Sequence, residues 1–238
     1  PAAPGGKLLP GHVTAQMHLM HDEHHVQPAV VSITQSTEYG GLYGVDEIRT
    51  IADVAHEAGL LVHVDGARIA NATAARLLED PALDVAGALR SITTEAGVDV
   101  ITFGGTKAGM MYGEAVVFLD PELGRDVRFV RKQAGQLPSK MRYVAAQFEA
   151  LLDEDRWITA AAHANAQAAR LAGAVADIDG VVLSRPPEVN SVFARLPRPV
   201  IERLQAWSFF WDWDVHHDEV RWMTSWATTD DDIAAFVA

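Results

Sequence analysis

Short apolar runs alternate with a helical pattern along the first half of the chain. Residues 46–58 place Ile48, Ile51 and Ala55 on one helix face, and Gly59 stands where a glycine commonly ends a helix. Runs with the length and composition of buried strands lie at residues 27–34, 60–64, 98–103 and 115–119. Alternating helices and continuously apolar strands predict an α/β fold, with a mainly parallel sheet covered by helices.

The pattern changes after residue 122. Residues 140–176 are rich in alanine and strongly helical, with an interruption near Asp153-Glu154-Asp155. Shorter strands and helices follow, and the acidic run Asp230–Asp232 is expected to cap the last helix. We therefore predict a large domain over residues 1–152 and a small C-terminal α+β domain over residues 153–238.

Composition excludes several classes of partner. The chain has 238 residues, a net charge of −13 and no cluster of Lys and Arg, which argues against nucleic-acid binding. It has no cysteine, so disulfides and thiolate metal sites are excluded and a reducing compartment is favoured. No apolar run reaches the ~18 residues of a membrane helix. These properties predict a soluble, cytoplasmic protein without a membrane partner.

An acid and an amine follow two of the predicted strands. Asp65 ends one strand and Lys107 lies just past the next, so both are expected at the carboxyl edge of the sheet, where such folds bind ligands. This pair suits pyridoxal 5'-phosphate, which a lysine holds as a Schiff base while an acid partners its ring nitrogen. Arg68 is placed to reach the phenolic oxygen of the ring or to hold Asp65. The alternative is that Asp65 caps a helix and Lys107 is a solvated surface amine.

Three segments carry a resemblance to a known family. Residues 63–72 read His-Val-Asp-Gly-Ala-Arg-Ile-Ala-Asn-Ala, and residues 98–107 read Val-Asp-Val-Ile-Thr-Phe-Gly-Gly-Thr-Lys. The segment Gly-Glu-Ala-Val-Val-Phe follows at residues 113–118. Together these closely resemble low-specificity threonine aldolases, members of the β-eliminating lyase group of fold-type I pyridoxal-phosphate enzymes. The resemblance extends from about Lys7 to the end of the chain.

The resemblance implies an activity and roles for particular residues. It implies a pyridoxal-phosphate lyase that cleaves threonine or related β-hydroxy-α-amino acids to glycine and an aldehyde, with Lys107 and Asp65 as catalytic residues. Arg142, together with Arg131 and Lys132, matches a region of cofactor-phosphate contacts that a neighbouring subunit sometimes supplies. Arg221 matches the arginine that grips the substrate carboxylate. A homodimer or homotetramer is implied.

The sequence also departs from the family pattern. The family has a substantial segment before the equivalent of Lys7, which carries a phosphate-binding loop and a ring-stacking residue. No counterpart of that segment stands before Lys7 here, so we expect residues 1–152 to correspond to the later part of the cofactor-binding domain. Histidines that are common in the family are replaced by the run 35–39 and by Ser225, which leaves Glu38 as a candidate base for the substrate hydroxyl.

Two other readings stay open at this point. The same cofactor supports β-elimination and transamination, and an inactive, cofactor-free fragment of the fold is a further possibility. A zinc site on one helix face formed by His18, His21 and His25 is weighed and not predicted, because no carboxylate arrangement supports it beyond Asp22-Glu23. The aromatic run 207–213 is expected to lie in the small-domain core or in an interface.

Overall fold

A computed structural model describes residues 4–238, which form two four-stranded sheets with helices around them. The strands are β1 Val30–Thr34, β2 Leu61–Gly66, β3 Val100–Gly104, β4 Glu114–Phe118, β5 Val182–Leu183, β6 Ser191–Arg195, β7 Trp211–Asp214 and β8 Glu219–Met223. The helices are α1 Pro10–Thr14, α2 Val45–Glu57, α3 Ile69–Glu79, α4 Val85–Ser91, α5 Val127–Gln133, α6 Met141–Leu152, α7 Arg156–Val175, α8 Arg198–Trp207 and α9 Asp230–Val237.

The first sheet has the order β1-β2-β3-β4 and is mainly parallel, as predicted. Strands β1, β2 and β3 run parallel, and β4 pairs with β3 in the antiparallel sense. Side chains alternate between the two faces of a strand, so Val62 and Val64 of β2 are buried while His63 and Asp65 face the other side and are partly exposed. Helix α2 packs on the buried face. The half-open face is therefore the one that carries Asp65.

Helix α2 ends as its sequence predicts. Gly59 adopts a left-handed φ of 73°. Its N–H donates to the His56 carbonyl at 2.9 Å, and the Leu60 N–H donates to the Ala55 carbonyl at 2.9 Å. These two bonds form a Schellman motif, which satisfies the last carbonyls of the helix and turns the chain into β2.

The second sheet has the order β5-β6-β8-β7 and is antiparallel throughout. Helix α7 joins the two hydrophobic cores. Its first half contributes Trp157 and Ile158 to the core of the first sheet, and its second half contributes Ala168 and Leu171 to the core of the second. The predicted interruption before α7 is present at Glu154 and Asp155, which both have positive φ. The domain boundary at residues 152/153 stays a prediction.

The cap of the last helix and the short helices differ in how far the sequence predicts them. The N-cap of the last helix is Thr229, and from the predicted acidic run it is Asp232 that takes part in the cap. Its carboxylate accepts from the Thr229 N–H at 2.8 Å, and the Asp232 N–H donates to the Thr229 hydroxyl at 3.1 Å. Helices α1, α4 and α5 are not predicted from the sequence, since their 5 to 7 residues are too short for a clear periodicity.

The histidines near the N-terminus do not share a helix face. His18 lies in a three-residue 3-10 turn, and His21 follows with a positive φ of 65°. Within residues 4–238, no group of three His, Cys, Asp or Glu residues is arranged to hold a metal ion.

The aromatic run divides between core and surface. Phe210 lies in the second core, as expected, whereas Phe209 is 76% exposed and Trp207 and Trp211 are also exposed. None of the helices described here is both long and apolar enough to cross a bilayer.

Two glycines with open surroundings test how backbone conformation sets stability. Gly173 in α7 and Gly59 after α2 both have room for a Cβ, but only Gly59 has a positive φ. We expect Gly173→Ala to raise the free energy of unfolding by about 0.5–1 kcal/mol, because alanine favours the helix. Gly59→Ala should lower it by about 1–2 kcal/mol, because an L side chain is strained there. Urea unfolding measures both, and equal effects would contradict the argument.

Candidate functional site

Close packing of two strand ends fixes the position of Asp65. A Cβ on Gly66 would lie 2.6 Å from the Thr102 carbonyl oxygen, and one on Gly104 would lie 2.6 Å from the Ala67 carbonyl oxygen. Only glycine allows β2 and β3 to approach this closely where they leave the sheet. The Asp65 Oδ1 accepts from the Ala67 N–H at 3.0 Å, which orients the carboxylate at the sheet edge.

Lys107 lies on a short turn directly after β3. The 3-10 turn Thr106–Ala108 is closed by the Ala108 N–H, which donates to the Gly105 carbonyl at 3.0 Å, and the Gly105 N–H donates to the Gly113 carbonyl at 3.1 Å. The lysine borders a small cleft with Asn71 of α3, Ala160 and Ala164 of α7, and Trp226. The structure thus places Asp65 and Lys107 at the same edge of the first sheet, at the ends of neighbouring parallel strands.

The pKa of the Glu114 carboxyl is raised, and the charges of Lys107 and Asp65 both act on it. Burial raises the pKa of the Glu114 carboxyl, a hydrogen bond with Thr106 and the charge of Lys107 act in the opposite direction, and the charge of Asp65 adds to the rise. Glu114 pairs with Gly104 across β3 and β4. Glu114 is therefore an acidic residue on the β4 side of Lys107, whereas Asp65 lies on the β2 side.

Arg68 and Arg221 meet at one carboxylate, that of Glu38. The Arg221 Nη1 donates to the Glu38 Oε2 at 2.9 Å, and the Arg68 Nη1 lies 3.9 Å from the Glu38 Oε1. The side chain of Arg221 is 14% exposed and that of Arg68 is 13% exposed, while that of Glu38 is 58% exposed. Burial lowers the pKa of Arg68, the charge of Glu38 raises it, and the nearby Arg221 lowers it further.

Trp213 stacks on the guanidinium of Arg221. The Arg221 Cζ lies 4.6 Å from the centre of a Trp213 ring, within the range of a cation–π interaction. Among residues 4–238, the buried Nε of Arg221 has no hydrogen-bond partner. With the Trp213 ring on its guanidinium, Arg221 directs its end nitrogen Nη1 to Glu38.

The segment that carries Glu38 is anchored to the second sheet. We call residues 35–43 the β1–α2 loop. The buried Gln35 amide closes this loop by bonding the Tyr43 N–H at 3.0 Å and the Tyr43 carbonyl at 2.9 Å. Arg185 donates to the Tyr39 carbonyl at 3.1 Å, and Glu188 accepts from the Leu42 N–H at 3.0 Å. These contacts hold Glu38 between the two sheets.

Arg142 lies apart from these contacts. It is on the exposed face of α6, where its guanidinium stacks on the Tyr143 ring at 4.8 Å from the centre. Arg131 and Lys132 are exposed in the last turn of α5. The structure therefore brings together Asp65, Arg68 and Arg221, with Lys107 at the same sheet edge, but places the three other cations on the surface.

Sequence reasoning missed three features of this site. It weighed Glu38 as a base but not as the partner of Arg221, it did not assign Trp213 to Arg221, and it gave no role to Glu114. The irregular pairing of β7 with β8 between Asp212 and Asp214 decides where Trp213 points, and no periodicity reveals it. For Glu114 a signal existed, since it lies on the strand that follows Lys107.

Relatives of known name match nearly the whole chain. The beta-eliminating lyase family matches residues 2–198. Low specificity L-threonine aldolases from a Pseudomonas species and from Pseudomonas aeruginosa are 42% and 43% identical to the chain, over 94% of its length. The chain spans 62% of the length of each of these relatives.

Solved structures of threonine aldolases share the fold. The structure of Leishmania major threonine aldolase superposes with a TM-score of 0.85 at 30% identity, covering 99% of this chain and 67% of that one. A putative L-allo-threonine aldolase from Listeria monocytogenes has a TM-score of 0.69 at 15% identity, covering 99% of this chain and 65% of its own, which shows the fold alone. On the extent of the family match, together with these relatives, the chain belongs to the beta-eliminating lyase family.

Proposed function

We propose that the chain acts in a pyridoxal-phosphate-dependent cleavage of L-threonine, or of related β-hydroxy-α-amino acids, to glycine and an aldehyde. The observation that carries the proposal is the placement of Asp65 and Lys107 at one sheet edge, after neighbouring parallel strands. The names of the Pseudomonas and Leishmania relatives support the substrate class.

The residues at the edge suit the cofactor chemically. Lys107 supplies an amine for the cofactor's aldehyde, and Asp65 uses one oxygen for the Ala67 N–H, which leaves the other for a ring nitrogen. A Cβ on Gly105 would clash with the Met110 sulfur, so the backbone just before the lysine is closely packed and requires glycine. When bound, the cofactor supplies an acceptor for the electron pair released as the Cα–Cβ bond breaks.

Each charged residue takes one task in this proposal. Lys107 would hold the cofactor through its side-chain amine, and Asp65 would keep the proton on the ring nitrogen. Arg68 bonds the phenolic oxygen of the ring or supports Asp65. Arg221 binds the substrate carboxylate through its planar fork of donors. Fixing the amine and the carboxylate orients the Cα–Cβ bond of the substrate relative to the ring.

The cations on α5 and α6 serve a neighbouring copy in this proposal. Arg142, with Arg131 and Lys132, contacts the cofactor phosphate of a second subunit in a homodimer or homotetramer. Exposed apolar side chains on the same helices, Phe129, Val130 and Tyr143, support a contact surface there. We place the protein in the cytoplasm, in accord with the absence of cysteine from its sequence.

Lys107→Ala should abolish the covalent adduct that borohydride traps between protein and cofactor, because Lys107 is the one lysine among residues 4–238 that lies just past β3. Mass spectrometry of the reduced protein locates the adduct. Lys140→Ala, which alters an exposed lysine before α6, is the matched control and should leave the adduct in place. An adduct that persists on another lysine in Lys107→Ala would overturn the assignment.

Asp65→Asn should retain the bound cofactor but slow threonine cleavage by orders of magnitude. The amide keeps the acceptor for the Ala67 N–H but no longer stabilises a protonated ring. Asp84→Asn is the control, since Asp84 also accepts a backbone N–H, that of Gly87, at the start of α4. Turnover of Asp65→Asn close to that of the unaltered protein, measured as glycine released, would contradict the role of Asp65.

Assembly should be visible by light scattering at micromolar concentration, where we expect a dimer or tetramer. Arg142→Ala should weaken cofactor binding without changing the fold, because the arginine acts on the phosphate of the neighbouring site. Arg125→Ala removes an exposed cation near the start of α5 and is the control. A monomer that still cleaves threonine would refute the shared site.

A further inference from the structure

We propose that Glu38 is a resident carboxylate that competes with the substrate carboxylate for Arg221, and that this exchange selects amines that carry a carboxylate. The inference rests on the proposed function, because Arg221 is the carboxylate-binding residue there. It gives Glu38 a role in specificity in place of the role of a base.

Arg221 has one pair of donors to offer. Its Nε is buried and unbonded within residues 4–238, so the pair of N–H groups that a carboxylate can grip is at the end of the guanidinium. One of these end nitrogens, Nη1, already donates to the Glu38 Oε2 at 2.9 Å. A two-bond grip by a substrate carboxylate therefore requires Glu38 to give up this nitrogen.

Losing their ion pair is more unfavourable for Arg221 than for Glu38. Arg221 is 14% exposed, so leaving its guanidinium without an acidic partner is unfavourable, whereas Glu38 is 58% exposed and can turn to water. A ligand carboxylate restores the ion pair that Glu38 leaves. An amine without a carboxylate offers no replacement, so it leaves Glu38 on Arg221.

The anchored β1–α2 loop keeps the backbone of Glu38 beside Arg221 during the exchange. Arg185 and Glu188 hold the loop backbone at Tyr39 and Leu42, which follow Glu38 in the chain. Only the Glu38 side chain then needs to move, and its backbone stays docked. Arg68, 3.9 Å from the same carboxylate, keeps a positive charge near Glu38 when Arg221 binds the substrate.

Charge explains the direction of the expected effect. Arg68 and Arg221 lie close enough for their like charges to interact, and Glu38 is the acid between them. Neutralising Glu38 removes a competitor and raises the positive potential that attracts a ligand anion. Affinity for a carboxylate ligand should therefore increase when Glu38 becomes glutamine.

The experiment compares glycine with methylamine on the cofactor-loaded protein, in a buffer low in chloride, by titrating the cofactor absorbance. Glu38→Gln should lower the Kd for glycine by about fivefold, the scale of a partly exposed ion pair, and should leave the Kd for methylamine unchanged. Glu188→Gln keeps a side-chain oxygen that can accept the Leu42 N–H and does not touch Arg221, so it should alter neither value. In an Arg221→Gln background, Glu38→Gln should have no effect on glycine.

A second measurement separates this inference from the proposed function. Acetate binding to the protein without cofactor is followed by the fluorescence of Trp213, which stacks on Arg221, with Trp213→Phe identifying its signal. Acetate should bind more tightly to Glu38→Gln by the same factor. If the unaltered protein neither holds pyridoxal phosphate nor cleaves threonine, the proposed function fails and the acetate titration still decides the competition.

Three outcomes would overturn the inference. One is a higher Kd for glycine in Glu38→Gln, because Glu38 would then support Arg221 and not compete for it. Another is an equal change for glycine and methylamine, which would place Glu38 at the amine. The third is the absence of any acetate response in both proteins.

Discussion

Parallel pairing of β1, β2 and β3 is the constraint on which the site depends. Parallel strands all end at the same edge, so the segments that follow them meet there although they are distant in sequence. Glu38 follows β1, Asp65 and Arg68 end β2 or follow it, and Lys107 follows β3. The glycines at residues 66 and 104 tighten this edge, since any side chain there would meet the backbone of the adjacent strand. The proposed chemistry uses this one geometric consequence of a buried, apolar sheet.

The second sheet adds what the first cannot supply. Its Arg221 is partly buried and reaches Glu38 from β8, while Trp213 covers the guanidinium. Charges alternate from Arg68 through Glu38 to Arg221, so each buried cation has an acid beside it. This alternation allows two arginines to lie together at one edge of the first sheet. The loop anchors at Tyr39 and Leu42 belong to the same arrangement, because they join the edge of one sheet to the other.

Local patterns predicted much of the fold. Strand β1 ends at Thr34 as the apolar run indicates, Gly59 ends α2, and the break at residues 153–155 separates two helices. The positions of Asp65 and Lys107 at the sheet edge could also be predicted from the sequence, because each depends only on the strand before it. The contact between Glu38 and Arg221 did not follow, since 183 residues separate them and the packing of two sheets decides it. The short helices α1, α4 and α5 were not predicted, because a helix of one or two turns shows little hydrophobic periodicity. The roles of Lys107, Asp65, Arg68, Arg142 and Arg221 stay predictions.

Helix α7 makes the two halves of the site mechanically dependent on each other. A helix of 20 residues is a stiff rod of about 30 Å, since its backbone bonds are continuous. Its early residues Ala160 and Ala164 form a wall of the Lys107 cleft, and its later residues are fixed in the core beneath β8. The pair Asn71–Asn165, bonded at 2.9 Å, fastens the rod to α3 between these points. A tilt of the second sheet that shifts Arg221 would therefore pivot α7 and reshape the wall beside Lys107, so the position of the Arg221 guanidinium and the space around the lysine amine change together.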